Sequence, residues 1–171
     1  MKKIKVMRNP VTLLSTILGN HETTPVSEVE GTNEVLVLMM TYDRLTRGTL
    51  DDAGYILLNE KMVTAFWLAK QLHENGSPTI RHLTNKFHAD FEAAAVAVAD
   101  IGCRRRDKQR NTYVATGPEL RTIYFAAMLY EFFLKAATVG HLRTARRKAA
   151  ELVTAKLMKV WNQGKKHGSR H

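Results

Sequence analysis

Apolar side chains recur along this chain at intervals of three and four residues, the spacing that lines them up on one face of an α-helix. From Thr32, Val35, Leu38, Met39, Tyr42 and Leu45 follow that rhythm until Gly48 stops it. Thr49 with Asp52 three residues later has the form of a capping box with Asp in place of Glu, and it opens a longer helix through Ile56, Met62, Val63, Phe66 and Trp67 to Gly76. Ser77-Pro78 pairs a capping hydroxyl with a helix-starting proline, and the stripe Leu83, Phe87, Phe91, Ala94, Val98 and Ile101 predicts one core helix ending at Gly102. Thr116-Gly-Pro-Glu119 sets cap, proline and capping-box Glu at the right offsets for a helix to about Thr138. Thr138 then caps a last helix with Leu142, Ala145, Ala149, Leu152, Val153, Leu157 and Val160 on one side and Arg143, Arg147, Lys148 and Lys159 on the other.

Two segments near the start complete the pattern. Asn9-Pro10 with Val11, Leu14 and Leu18 predicts a short docking helix before Gly19, and the Thr-, Glu- and Ser-rich stretch from Asn20 to Gly31, with Pro25, reads as a solvated loop. Tyr113 to Ala115 allows a short extended piece, but strand-like alternation of useful length is missing, as is any internal repeat. The expectation is an all-α, single-domain, bundle-like or orthogonal packing of about five helices over residues 9–162, preceded by a basic segment at 1–8 and followed by a frayed, disordered basic tail at 163–171.

Composition supports one core. The 171 residues, 44% of them hydrophobic, suit a single domain held by packing alone, since the lone Cys103 cannot form an internal disulfide. The apolar runs at Val35 to Met40 and Ala93 to Ala99 fall far short of the ~20 residues that cross a bilayer. Arg8-Asn9-Pro10 stands where a secretory signal needs an apolar stretch, so a cytoplasmic protein without membrane contact is expected.

Charge changes the picture more than composition does. The net charge is +10, yet residues 9–103 hold six Lys/Arg against twelve Asp/Glu, while residues 1–8 and 104–110 are each +4 and the stretch from Lys135 onward is +9. An acidic body thus carries basic ends and one basic segment.

A resemblance follows from particular residues. Asn9-Pro10-Val11, Leu45-Thr46-Arg47-Gly48 with Asp51-Asp52 and Leu58-Asn59, then Gly117-Pro118-Glu119-Leu120 through Tyr130-Glu131 and Thr138-Val139 with Leu142, resemble a family of short uncharacterised helical proteins from proteobacterial phages and mobile elements. The resemblance covers roughly residues 8–145, in the same order, and the basic tail after Arg146 departs from it. It implies a mobile-element setting in a bacterial host and no particular reaction.

Arg104, Arg105, Arg106, Lys108 and Arg110 form the densest basic run, of the kind that neutralises phosphate backbones; a solvated interhelical loop is the plain alternative. Arg143, Arg147, Lys148, Lys159, Lys165 and Lys166 make the last helix cationic, so nucleic acid, an acidic protein surface and acidic lipid are all candidate partners. Arg146 and Lys156 fall at the edge of the apolar stripe, where pairing with acids of the body is open to them. A helix-turn-helix reading of Thr79 to Ile101 fails, because Ala93 to Ala99 offers no side chain able to read a base edge.

His88 and Glu92 sit one turn apart without a third ligand, and Cys103 has no His partner fixed by spacing. Glycine-rich phosphate loops, nucleophile elbows and paired catalytic acids are missing, so neither an enzyme nor a cofactor or metal is expected. The helix around Tyr130 to Leu134 is apolar around much of its circumference, which suits a central position or a second subunit. The sequence therefore points to a non-enzymatic accessory protein that binds DNA or RNA backbones with little base specificity, or else to an interaction module for a host or virion protein.

Overall fold

The structure, a computed structural model, describes residues 23–107 and 112–168, with side chains for 23–105 and 112–155. Five helices fill it: α1 (Glu28–Thr46), α2 (Asp52–Asn75), α3 (Pro78–Asp107), α4 (Gly117–Ala136) and α5 (Val139–Gly168). The fold is an all-α, single-domain packing in which α2 touches each of the other four helices. The expected docking helix of residues 9–19 lies outside the described residues.

Local chemistry explains the element ends. Ser27 caps α1 by accepting from the Glu30 amide at 3.2 Å, and Glu28 and Glu30 sit in the first turn, where the helix dipole favours carboxylates. The helix therefore begins before Thr32 and runs straight through Gly31, correcting the second half of the predicted loop. At its other end Gly48, at φ 68°, supplies the left-handed residue of a Schellman turn: its amide donates to the Leu45 carbonyl and that of Thr49 to the Arg44 carbonyl. Asp51, one residue before the Asp predicted as part of a capping box, is the true cap of α2, accepting from the Gly54 amide at 2.7 Å.

Thr116 and Glu119 form the predicted capping box of α4. Thr138 caps α5, accepting from the His141 amide at 3.3 Å. Just before α1, Pro25 bridges to Thr138, with Val26 donating to Ala137 at 3.0 Å and Val139 donating to Thr24 at 2.8 Å, so the chain's entry is pinned beside the α4–α5 turn.

The core lies around α2 and α4. Leu58, Met62, Leu68 and Leu72 of α2 meet Phe91, Val98 and Ile101 of α3 and Ile123, Tyr130 and Phe133 of α4, all buried. Leu142, Ala145 and Ala149 turn the narrow side of α5 inward, small residues that let it approach α2 closely. No described helix is long and apolar enough to cross a membrane.

Candidate nucleic-acid interface

The two basic segments take different positions. α3 does not stop at Gly102 but continues to Asp107, so Arg104 and Arg105 are helical rather than part of a loop. Gly102 is there for closeness: a Cβ at that position would collide with the Tyr55 ring and hydroxyl, which donates to the Val98 carbonyl at 3.1 Å. Arg104 grips Glu119 with two parallel hydrogen bonds of 2.7 and 2.6 Å and adds a third to the Val114 carbonyl at 3.2 Å. The same Glu119 accepts from the Thr116 amide at 2.7 Å, so one carboxylate ties the end of α3 to the start of α4. Burial opposes ionisation of Glu119, but Arg104 and Thr116 outweigh it and hold its pKa below the ordinary value.

Arg105 is engaged as well, through one terminal nitrogen, while its buried Nε has no hydrogen-bond partner among the described residues. Its guanidinium pairs with Asp52 at the first turn of α2, bonds the Tyr113 hydroxyl at 3.0 Å and lies over the Tyr113 ring at 4.4 Å. Tyr113 donates in turn to Asp52 at 2.7 Å and stacks on Tyr55 with ring centroids 4.3 Å apart. Burial, with the nearby Cys103 adding to it, pushes the Tyr55 hydroxyl up to about 12. Residues 113–116, where the sequence allows an extended piece at Tyr113 to Ala115, pair in no strand, and of them Tyr113 alone is buried. The side chains of Arg106, Lys108 and Arg110 lie outside the described residues.

α5 presents the other group. Arg143 and Arg147 are exposed, and Arg147 reaches Glu151, at 3.0 Å one turn along. Lys148 lies over the Trp67 ring at 4.3 Å, and Lys70 of α2 approaches the same ring at 4.9 Å. Trp67 thus carries two ammonium groups, an arrangement that the spacing Trp67 to Lys70 hints at within α2 but that the pairing with Lys148 hid from sequence. The Trp67 indole nitrogen is buried without a hydrogen-bond partner. Lys159, Lys165 and Lys166 belong to the same helix, with side chains outside the description. Arg105 sits at the Asp52 end of α2, whereas Lys148 sits over Trp67, roughly 22 Å further along at the ordinary helical rise. The described parts of the two basic segments therefore do not meet.

The chain matches no family model, no curated protein and no solved structure.

One charged cluster went unforeseen as a unit. Glu34 of α1, buried, receives Lys61 of α2 at 2.7 Å to both oxygens, the Tyr130 hydroxyl of α4 at 2.8 Å and Arg146 of α5 at 2.7 Å. Arg146 also pairs with Glu30 at 3.0 Å. Burial by itself would raise the pKa of Glu34, yet Lys61 above all, with Tyr130 and Arg146, brings it below the ordinary carboxylate value. Burial and the adjacent carboxylate drive the Tyr130 hydroxyl strongly upward, so it stays a donor. Four helices are joined at one carboxylate whose oxygens are saturated, leaving no free nucleophile or base there. Helical spacing places Glu34 on the apolar side of α1 with Leu38, Thr41 and Leu45, and that lone acid on a buried stripe was the available signal.

Proposed function

We propose that this protein is a nucleic-acid-associated accessory factor of a phage or mobile element, acting without catalysis and binding phosphate backbones through α5. One observation carries the reading: α5 is a single 30-residue helix with eight Lys/Arg and one carboxylate, Glu151. At the helical rise it extends about 45 Å, which matches the length of a cationic rod able to follow a duplex or single strand over several phosphates. Helix-dipole complementarity accounts for a cation or two in the last turn, not for eight along the length.

Arg104 and Arg105 leave the proposed contact set, because their guanidinium groups already hold Glu119 and Asp52. Displacing those carboxylates would give up one existing ion pair for each phosphate gained. Arg143, Arg147 and Lys148, with Lys159, Lys165 and Lys166, remain. Little base specificity is expected, since ammonium and guanidinium groups spaced along one helix read charge rather than base edges.

Purification with and without nuclease tests the proposal. Nucleic acid is expected to co-purify at low salt, giving a high 260/280 absorbance ratio that falls on nuclease treatment. A ratio typical of pure protein in both preparations, with a retained acidic protein, would instead favour an interaction module for a host or virion component.

A further inference from the structure

α4 is apolar on two opposite sides. Ile123, Ala126, Tyr130 and Phe133 face the core, while Tyr124, Phe125, Met128 and Phe132 face solvent with 44%, 45%, 47% and 48% of their surface exposed. The neighbouring α1 adds Leu36 and Met40, at 54% and 59%. With large side chains of about 200 Å² each, half exposed, these six residues expose roughly 600 Å² in all, the upper end of what a monomer shows in one patch. It approaches the ~800 Å² that each partner contributes to a stable protein interface.

We propose that this face joins two copies of the chain, by antiparallel packing of α4 against α4 of the second copy about a twofold axis. The layout of charge selects this occupant and this direction. Arg121, exposed, stands near the start of the apolar face and Glu131 near its end, where an exposed pair with Lys135 one turn on, at 3.2 Å, leaves the carboxylate open to a second cation. An antiparallel pair brings Arg121 of each copy to the end of the other copy's helix that carries Glu131 and Phe132, twice by symmetry, while Tyr124 and Phe125 meet Met128. A parallel pair would set Arg121 against Arg121 and Glu131 against Glu131. The face is complementary to itself in a way that a uniformly acidic or basic partner would not match. The face lies on α4 and α1 and includes none of the cations of α5, so a dimer presents two cationic helices.

Sedimentation equilibrium of the full chain over about 1–100 µM reads the state directly. The expected mass is twice the 19.4 kDa of one chain, falling to a single chain in Met128→Glu with an unchanged far-ultraviolet circular dichroism spectrum. Arg121→Glu alone is expected to weaken association about tenfold or more, and combining it with Glu131→Arg to restore it. A wild-type monomer throughout the range, as when residues 1–22 cover the face, would overturn the proposal. So would a dimer indifferent to both Met128→Glu and Phe132→Glu, and failure of the double charge exchange to restore association would overturn the antiparallel pairing.

Discussion

Arg146 and Arg147 are neighbours in sequence with opposite surroundings. Arg146 turns inward to Glu30 and Glu34, next to Lys61 and Tyr130, whereas Arg147 is 64% exposed and, among the described residues, holds Glu151 on its own helix. A helix turns about 100° per residue, so consecutive cations on α5 face different worlds. The same division separates Arg104 and Arg105, which fasten α3 to α2 and α4, from Arg143, which faces solvent. Positive charge in this molecule therefore has two physical roles, and counting cations along the sequence does not tell them apart. Inward cations fix how helices meet; outward ones set what the surface attracts.

The inward cations give the largest expected effects. Glu34→Ala leaves Lys61 and Arg146 without their shared carboxylate, and removing one member of a buried ion cluster costs about 3–5 kcal/mol. For a chain of this size that is a melting temperature about 6–20 °C lower, read by thermal denaturation. A loss under about 1 kcal/mol would show that the cluster holds nothing together. The same carboxylate gives an acid limb. Its folded pKa lies below its ordinary 4.5, so its contribution is complete above that pH and disappears as pH falls from 4.5 through the folded value. Urea midpoints of the wild type are expected to drop over that interval, and those of Glu34→Ala to drop less.

Next in size is Gly102→Ala. The added methyl must displace Tyr55 from its stack on Tyr113 and its bond to Val98, an overpacking cost of about 1–3 kcal/mol by chemical denaturation. The outward cations come last. Arg143→Ala with Arg147→Ala is expected to change stability by no more than about 0.5 kcal/mol, since both side chains are exposed and the Arg147–Glu151 pair one turn apart contributes little. A larger destabilisation would place these arginines with the inward group.

Where each helix lies was legible wherever cap chemistry and apolar spacing agreed, as at Ser77-Pro78, Thr116 to Glu119 and Thr138. The departures share a cause. Gly31 read as the end of a loop and Gly102 as a helix stop, but Gly31 lies inside α1, and Gly102 makes room for a tyrosine from another helix. The start of α1 was hidden because its first turn is acidic, with Glu28 and Glu30 breaking the apolar rhythm that marks a helix.

Among the candidate site residues, the prominence of the 104–110 run was visible but its engagement was not. Tyr113 and Glu119 follow it closely, but which arginine each would hold depends on how α3 and α4 pack, and Asp52 is distant in sequence and reaches Arg105 only through tertiary packing. The pairing of Arg146 with acids of the body was foreseeable from its place at the edge of the stripe; that those acids are Glu30 and Glu34 was not.

Fluorescence anisotropy with a labelled duplex and a labelled single strand, titrated at about 50 and 200 mM salt, tests the division of roles most directly. Wild-type affinity is expected to fall about a hundredfold or more between the two salt concentrations, as release of several counterions requires. Arg143→Glu with Arg147→Glu is expected to weaken binding about tenfold at low salt and to flatten the salt slope, while Arg104→Gln leaves both unchanged. Binding that ignores salt, or that Arg104→Gln weakens as much as the α5 pair does, would contradict the account.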